Sequence, residues 1–218
     1  MPKLDVASLQ TKMITGGRGG YCFEQNAVLR AGLMGLAFRV TSLIARIVIG
    51  ATPDAFRAAT YMTLRVDLPE GPFLADVGFG HQTPTAPLVL ETGFVQPTPH
   101  EAMRLQPLGE EFVLEARLAD GWQHLYRFSL RPAPDIDYEV GNWFCATFPG
   151  SPFTSNLILA RPDPDGLRHT MLHGRVTTRG RACIASDFWV GHPHPVPTGA
   201  DLSRKRERLQ PGLFLQHV

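Results

Sequence analysis

The chain has 218 residues, 44% of them hydrophobic and 19% charged, which is enough apolar material for a sizeable core. The formal net charge is +1, and no block of Lys and Arg is large enough for a nucleic-acid-binding face. The basic cluster at 204–206 is expected to be a solvated tail. No apolar signal core opens the chain, and no uncharged run approaches the roughly 18 residues of a membrane span. We therefore expect a cytoplasmic protein without nucleic-acid or membrane partners.

The cysteines are three in number, Cys22, Cys145 and Cys183. An odd, sparse set argues against a disulfide framework, and the absence of a Cys-x-x-Cys pair argues against a structural zinc site. His192 and His194 lack a third ligand, so we expect no bound metal.

The first part of the chain is predicted to be helical. A short helix is predicted over 4–13, with Ser8 or Asp5 as its cap, and a glycine-rich loop follows at 16–20. Apolar residues at helical spacing then predict a helix over 22–35. Cys22 is therefore expected at a helix N-terminus.

From residue 38 the pattern becomes strand-like, with Val, Ile and Leu in alternating or continuous runs. The segment 80–108 is predicted to be a long connecting loop, 137–148 a helix, and the residues after 182 to lose periodicity. Strands are predicted over 38–49, 60–68, 73–77, 112–118, 122–130, 155–160 and 167–178, with 112–130 forming a hairpin. Periodicity alone thus supports a mixed α and β fold.

Glycines lead directly into Cys22 in the segment Arg18-Gly-Gly-Tyr-Cys-Phe-Glu-Gln-Asn26. The unpaired N–H groups and the dipole of a helix start lower the pKa of a thiol and favour its thiolate. Arg18 would add to this effect, and the exposed N–H groups could hold a developing oxyanion. The pattern indicates a cysteine nucleophile.

A second segment, Asp76-Val-Gly-Phe-Gly80, ends a predicted buried strand with a carboxylate. Such a carboxylate can orient an imidazole. The glycines let a substrate approach the backbone, and Phe79 offers a ring to an aromatic substrate.

Together these two segments resemble the arylamine N-acetyltransferases, whose members carry Arg-Gly-Gly-x-Cys, then Thr-His on a strand, then Asp-Val-Gly-Phe-Gly. The resemblance covers roughly residues 4–181. Further segments that look like the family are 38–47, 66–71, 125–130, 137–143 and 153–156.

The resemblance implies an α+β, cysteine-proteinase-like acetyltransferase fold. It predicts a truncated N-terminal helical domain over 1–37 that carries the nucleophile, and a β-barrel-like domain over 38–136. An α/β lid with a divergent tail is predicted over 137–218.

The resemblance also implies ping-pong chemistry, in which the cysteine takes an acetyl group from acetyl-CoA and passes it to an arylamine, arylhydrazine or N-hydroxyarylamine. Cys22 is then the nucleophile and Asp76 the carboxylate that orients the base. Phe79, Gly78 and Thr60 are assigned to substrate binding. Acetyl-CoA is a cosubstrate, no cofactor or metal is bound, and a homo-oligomer is left open.

The triad histidine is missing, because its place reads Thr60-Tyr61-Met62. A phenol titrates near pH ~10, so Tyr61 is a poor base at neutral pH and cannot form an imidazolium beside the thiolate. A bare Asp76 carboxylate near Cys22 would raise the thiol pKa. We expect slow acetylation, with His81 as the alternative base.

The two ends also depart from the family pattern. The helical segment that precedes the region matching residue 4 is missing, and its absence is expected to expose apolar surface. Residues 182–218 do not resemble the family's closing strand and helix.

Three functions therefore remain. The first is an arylamine N-acetyltransferase, impaired at the base. The second is an amide synthase of aromatic-amine polyketides, which shares the fold; transglutaminases and cysteine proteases use a similar site, but nothing in 18–80 favours peptides. The third is a catalytically dead or regulatory relative.

Overall fold

A computed structural model of the chain describes residues 1–180 and the backbone of 184–189. The fold is α+β, as predicted. Its helices are α1 (Val6–Leu9), continued by a π-helix (Gln10–Thr15), α2 (Cys22–Gly35), α3 (Asp135–Thr147) and α4 (Pro152–Ser155). Its strands are β1 (Arg39–Ile47), β2 (Tyr61–Leu68), β3 (Gly71–Ala75), β4 (Leu88–Val89), β5 (Met103–Leu108), β6 (Glu111–Leu118), β7 (Gly121–Ser129), β8 (Leu159–Pro162), β9 (Arg168–Leu172), β10 (Arg175–Arg179) and β11 (Ile184–Trp189).

Seven strands form a curled antiparallel sheet in the order β4-β3-β2-β1-β7-β6-β5. Its centre is β1, where Ala45 pairs with Tyr61 of β2 on one side and with Phe128 of β7 on the other. Because β1 is flanked on both sides, residues from β2 and from the distant β7 come together on one face. A second antiparallel sheet has the order β11-β10-β9-β8.

Helix α2 packs its first turn into the core beside β2 and β1. Phe23 is fully buried there, and its ring lies so close to α3 that a Cβ at Gly141 would come within 2.7 Å of it. Burying an aromatic side chain of this size contributes about 2 kcal/mol. This packing fixes the start of α2 over the start of β2.

Several predicted elements are confirmed. Helix α2 has the predicted bounds, because the glycine loop precedes it and Ala37, at φ 64°, ends its last turn. Asp5 caps α1 by accepting the N–H of Ser8 at 2.9 Å. The 112–130 hairpin and the third predicted helix are present, each within two residues of the predicted bounds.

Other predictions were wrong. The loop predicted over 80–108 ends in β5, where Met103 and Leu105 are buried in pairing with β6, and Pro107 obscured this alternation. The strand predicted over 167–178 is a hairpin, because His173 and Gly174 both adopt positive φ and turn the chain. Ser155 ends α4, so β8 begins only at Leu159. Strand β11 lies where periodicity was predicted to fade.

Large apolar side chains are exposed around α2, including Ile14 before it and Met34, Leu36 and Phe38 at its end. The basic cluster, Cys183, His192, His194 and the segment 191–199 lie outside the described residues. Among the described residues, no helix is long and apolar enough to cross a membrane.

Candidate active site

Cys22 is the first residue of α2 and is buried, with 5% of its surface exposed. Its thiol points at the main-chain carbonyl of Thr60, with a sulfur–oxygen distance of 3.9 Å. Gly78 packs against it so closely that a Cβ there would lie 2.6 Å from the Cα of Cys22. The predicted nucleophile and the two strand motifs therefore meet at one place.

Asp76, directly after β3, is buried and accepts hydrogen bonds from four residues, three of which are Asn26, Gly78 and Tyr126. The side-chain amide of Asn26 and the backbone N–H of Gly78 both donate to Oδ1 at 2.9 Å. The hydroxyl of Tyr126 donates to Oδ2 at 2.8 Å. The prediction of a bare carboxylate is therefore wrong, because the surrounding donors replace the water that burial removes.

Tyr61 occupies the remaining approach to Asp76. Its hydroxyl lies 2.7 Å from Oδ1 and 2.8 Å from Oδ2. Its ring packs edge-on against Phe79 at 5.3 Å and lies 4.9 Å from the ring of Tyr126. A phenol thus holds the carboxylate where the family pattern has an imidazole.

The acids of this site all have raised pKa values. Burial raises the pKa of the Cys22 thiol well above its ordinary value. The Met62 N–H opposes this shift, the Cys145 and Asp76 charges add to it, and the Phe23 N–H has the smallest opposing effect. Burial also raises the pKa of Tyr61 and of Asp76. The hydrogen bonds that Asp76 accepts lower its pKa, but by less than burial raises it. The raised pKa values keep the Cys22 thiol and the Tyr61 phenol protonated at neutral pH.

The helix start was predicted to lower the pKa of Cys22, but the net shift is upward because burial outweighs this effect. A helix N-terminus lowers a thiol pKa when water and N–H groups solvate the sulfur. Here the Cys22 sulfur is buried. The Thr60 carbonyl oxygen that it faces is also 3.7 Å from the Cys145 sulfur. The cost of burying a negative charge outweighs the dipole.

His81, the alternative base, lies in the short 3₁₀ turn after Gly80, with its ring 6.0 Å from that of Phe79. It lines a narrow cleft with Arg168, Thr170, Thr177 and Arg179. Phe79 therefore packs beside both His81 and Tyr61. Thr60 contributes its main-chain carbonyl to both thiols.

Three residues of this site were not predicted. Tyr126 comes from β7, and an alternating strand carries no local signal for such a role. Asn26 lies within the cysteine segment and joins it to β3, because its side chain also accepts the N–H of Val77 at 3.0 Å. Cys145 of α3 places a second thiol beside the first, and burial raises its pKa to about 11.

The raised pKa of Cys22 predicts its reactivity. A raised thiol pKa leaves less thiolate at any given pH, so alkylation of Cys22 by iodoacetamide should still be accelerating as the pH passes the ordinary thiol value of 9.0. Rates at single cysteines, followed by peptide mass spectrometry from pH 6 to about 10, test this. A plateau for Cys22 near neutral pH would contradict it.

Comparison with known proteins identifies the family. A model described as N-acetyltransferase matches residues 1–188, so the match continues past residue 181, to within β11. The chain belongs to the arylamine N-acetyltransferase family.

Among its relatives is the arylamine N-acetyltransferase of Mycobacterium tuberculosis H37Rv, 44% identical over 160 residues that cover 72% of this chain and 56% of that protein. That of Escherichia coli K12 is 41% identical over 175 residues, 80% of this chain and 62% of that protein. The chain thus spans about three fifths of the length of these relatives.

Solved structures agree. The arylamine N-acetyltransferase of Mycobacterium marinum superposes with a TM-score of 0.84 at 39% identity, over 88% of this chain and 71% of that one. The same enzyme in complex with CoA gives a TM-score of 0.83 over the same shares. Within the described residues, no three His, Cys, Asp or Glu side chains are grouped to hold a metal.

Proposed function

We propose that the protein transfers an acetyl group from acetyl-CoA to an arylamine, arylhydrazine or N-hydroxyarylamine through a thioester on Cys22, and that this transfer is slow. The observation that carries the proposal is the position of Tyr61, whose hydroxyl bridges both oxygens of Asp76. In this proposal Cys22 and Asp76 keep their family roles, and only the base between them is changed, from histidine to Tyr61. A cytoplasmic location, where thiols stay reduced, belongs to this proposal.

In the proposed first step, the proton of Cys22 moves to the hydroxyl oxygen of Tyr61 while the proton of Tyr61 moves to Asp76. The Cys22 sulfur then attacks the acetyl carbon, and CoA leaves as its thiol after taking back a proton. Burial makes Asp76 a stronger base than a free carboxylate, which favours this relay. The amine nitrogen then attacks the thioester carbon, the bond to the Cys22 sulfur breaks, and the amine proton passes to that sulfur and regenerates the thiol.

The same geometry explains why the proposed acetyl transfer is slow. Forming the thiolate requires moving a proton from a thiol with a raised pKa to a carboxyl group, and no cation arises beside the sulfur to stabilise it. Each unit of pKa difference adds about 1.4 kcal/mol to this step. Phe79, buried and packed against Tyr61, is proposed to line the amine site together with Gly78 and Thr60.

A second candidate is a non-catalytic, acyl-CoA-binding relative. It is favoured by the protonated state that burial imposes on Cys22 and by the complete hydrogen bonding of Asp76, which together form a stable site without a strong base. Amide synthesis on aromatic-amine polyketides has no observation in this structure that separates it from transfer to small amines.

Mass spectrometry of the intact protein after incubation with acetyl-CoA tests the proposal. We expect a single acetyl adduct that accumulates slowly and is lost in Cys22→Ala. Cys145→Ala is the matched control, because it removes the neighbouring buried thiol and should keep the adduct. Addition of an arylamine should then remove the acetyl group from the wild-type protein.

Absence of an adduct from a folded protein would overturn the enzyme assignment and leave the binding role. An adduct that persists in Cys22→Ala and disappears in Cys145→Ala would assign the nucleophile to α3 instead.

A further inference from the structure

The cleft beside His81 lies between the 3₁₀ turn after Phe79 and the second sheet. Its lining residues come from β9, β10 and the turn, and its volume is about 50 Å³. That volume admits one small polyatomic group. Each lining residue has a polar side chain, namely two arginines, two threonines and the imidazole of His81. A pocket of this composition favours an anion over an apolar group.

Arg168 carries the strongest evidence that the cleft has a ligand. Its side chain is 2% exposed, and its Nε donates to both carboxylate oxygens of Glu101, at 2.9 and 2.8 Å. Its Nη2 donates a hydrogen bond to the carbonyl oxygen of Thr83 at 2.8 Å. Nη1 is buried without a hydrogen-bond partner among the described residues. A buried donor without a partner is destabilising, and an oxygen acceptor in the cleft would relieve this.

The described residues of the cleft bring more positive than negative groups together. Arg179 also contacts Glu101, at 3.1 Å, so among the side chains that the structure describes two guanidinium groups share this one carboxylate. Water is partly excluded from His81, and this effect, with the charges of Arg179 and Arg168, lowers the pKa of its imidazole. The lowered pKa is consistent with a cationic site in which His81 is neutral and can donate or accept a hydrogen bond.

The cleft adjoins the candidate active site. The centre of the Phe79 ring lies 5.3 Å from that of Tyr61 and 6.0 Å from that of His81. A substrate lying along Phe79 could therefore reach Cys22 with its reacting end and the cleft with a charged end.

We infer that this cleft, formed by Arg168, Arg179 and His81 with Thr170, binds one small oxyanion that belongs to a substrate. The oxyanion is a phosphate of CoA or a carboxylate of the acceptor, because the oxygens of both groups accept paired hydrogen bonds from a guanidinium group. The identity of the substrate rests on the proposed function, whereas binding itself does not require Cys22.

Isothermal titration calorimetry with inorganic phosphate and with benzoate tests the inference. We expect at least one of them to bind to the wild-type protein and equally to Cys22→Ala. In Arg179→Gln the affinity should fall about 10-fold or more, because one charged hydrogen-bond donor is lost. Arg161→Gln removes an exposed arginine from β8 outside the cleft and should leave binding unchanged.

Two further pairs of ligands distinguish whether the bound oxyanion is a phosphate of CoA or a carboxylate of the acceptor. Weaker binding of dephospho-CoA than of CoA, with the difference lost in Arg179→Gln, would assign the phosphate. Binding of benzoate but not of neutral benzamide, with the same dependence on Arg179, would assign the carboxylate. If neither anion binds, or if Arg179→Gln and Arg161→Gln weaken binding equally, the inference is overturned. Failed acetylation with intact anion binding would overturn only the proposed function.

Discussion

Replacing Tyr61 with histidine is expected to raise the rate of Cys22 acetylation by about 10²- to 10⁴-fold, the usual contribution of a positioned general base. Asp76 already has donors from Asn26, Gly78 and Tyr126 around it, so it is held in place to accept an imidazole N–H. The imidazolium formed would stabilise the thiolate, which the phenol cannot do. Single-turnover acetylation, followed by intact-protein mass, measures the change.

Tyr61→Phe is the matched control, because it keeps the ring that packs on Phe79 and removes only the hydroxyl. We expect it to acetylate no faster than the wild-type protein, and more slowly if the hydroxyl relays the proton. Iodoacetamide reactivity gives a second reading, since the pH at which Cys22 alkylation is half-maximal should fall only in Tyr61→His. A Tyr61→His protein that is folded and no faster than Tyr61→Phe would show that the missing base is not what limits the reaction.

Replacing Gly78 with alanine is expected to lower the free energy of unfolding by about 3 kcal/mol, at the upper end of the usual cost of overpacking. The new Cβ would lie 2.6 Å from the Cα of Cys22 and 2.8 Å from Nδ2 of Asn26. The first of these atoms is helix backbone, so α2 as a whole must move away from β3. Urea denaturation measures the loss, and Cys22 should become more reactive toward iodoacetamide as it is exposed.

Gly32→Ala serves as the control within α2. An added Cβ there meets nothing within 4 Å, and alanine favours a helix interior by about 1 kcal/mol over glycine. We therefore expect opposite signs for the two substitutions. A Gly78→Ala protein as stable as the wild-type protein would contradict the close approach of β3 to the nucleophile.

Most local features could be predicted from the sequence. Helix α2 follows from its apolar spacing and the glycines before it, and the position of Tyr61 follows from its place between two recognisable motifs. The β5 strand could not be predicted in the same way, because its two buried positions are stabilised by pairing with β6 and not by local preference.

The sequence by itself determined the family, and it predicted the nucleophile, the carboxylate and the loss of the histidine, because each is carried by a short contiguous segment. Only the tertiary structure decided that Asp76 is fully hydrogen-bonded, since Tyr126 reaches it from 50 residues away through the pairing of β7 with β1. It also decided the sign of the Cys22 pKa shift. Helix position and neighbouring charge act locally, but burial depends on how the whole core packs around the sulfur, and here burial is the larger effect.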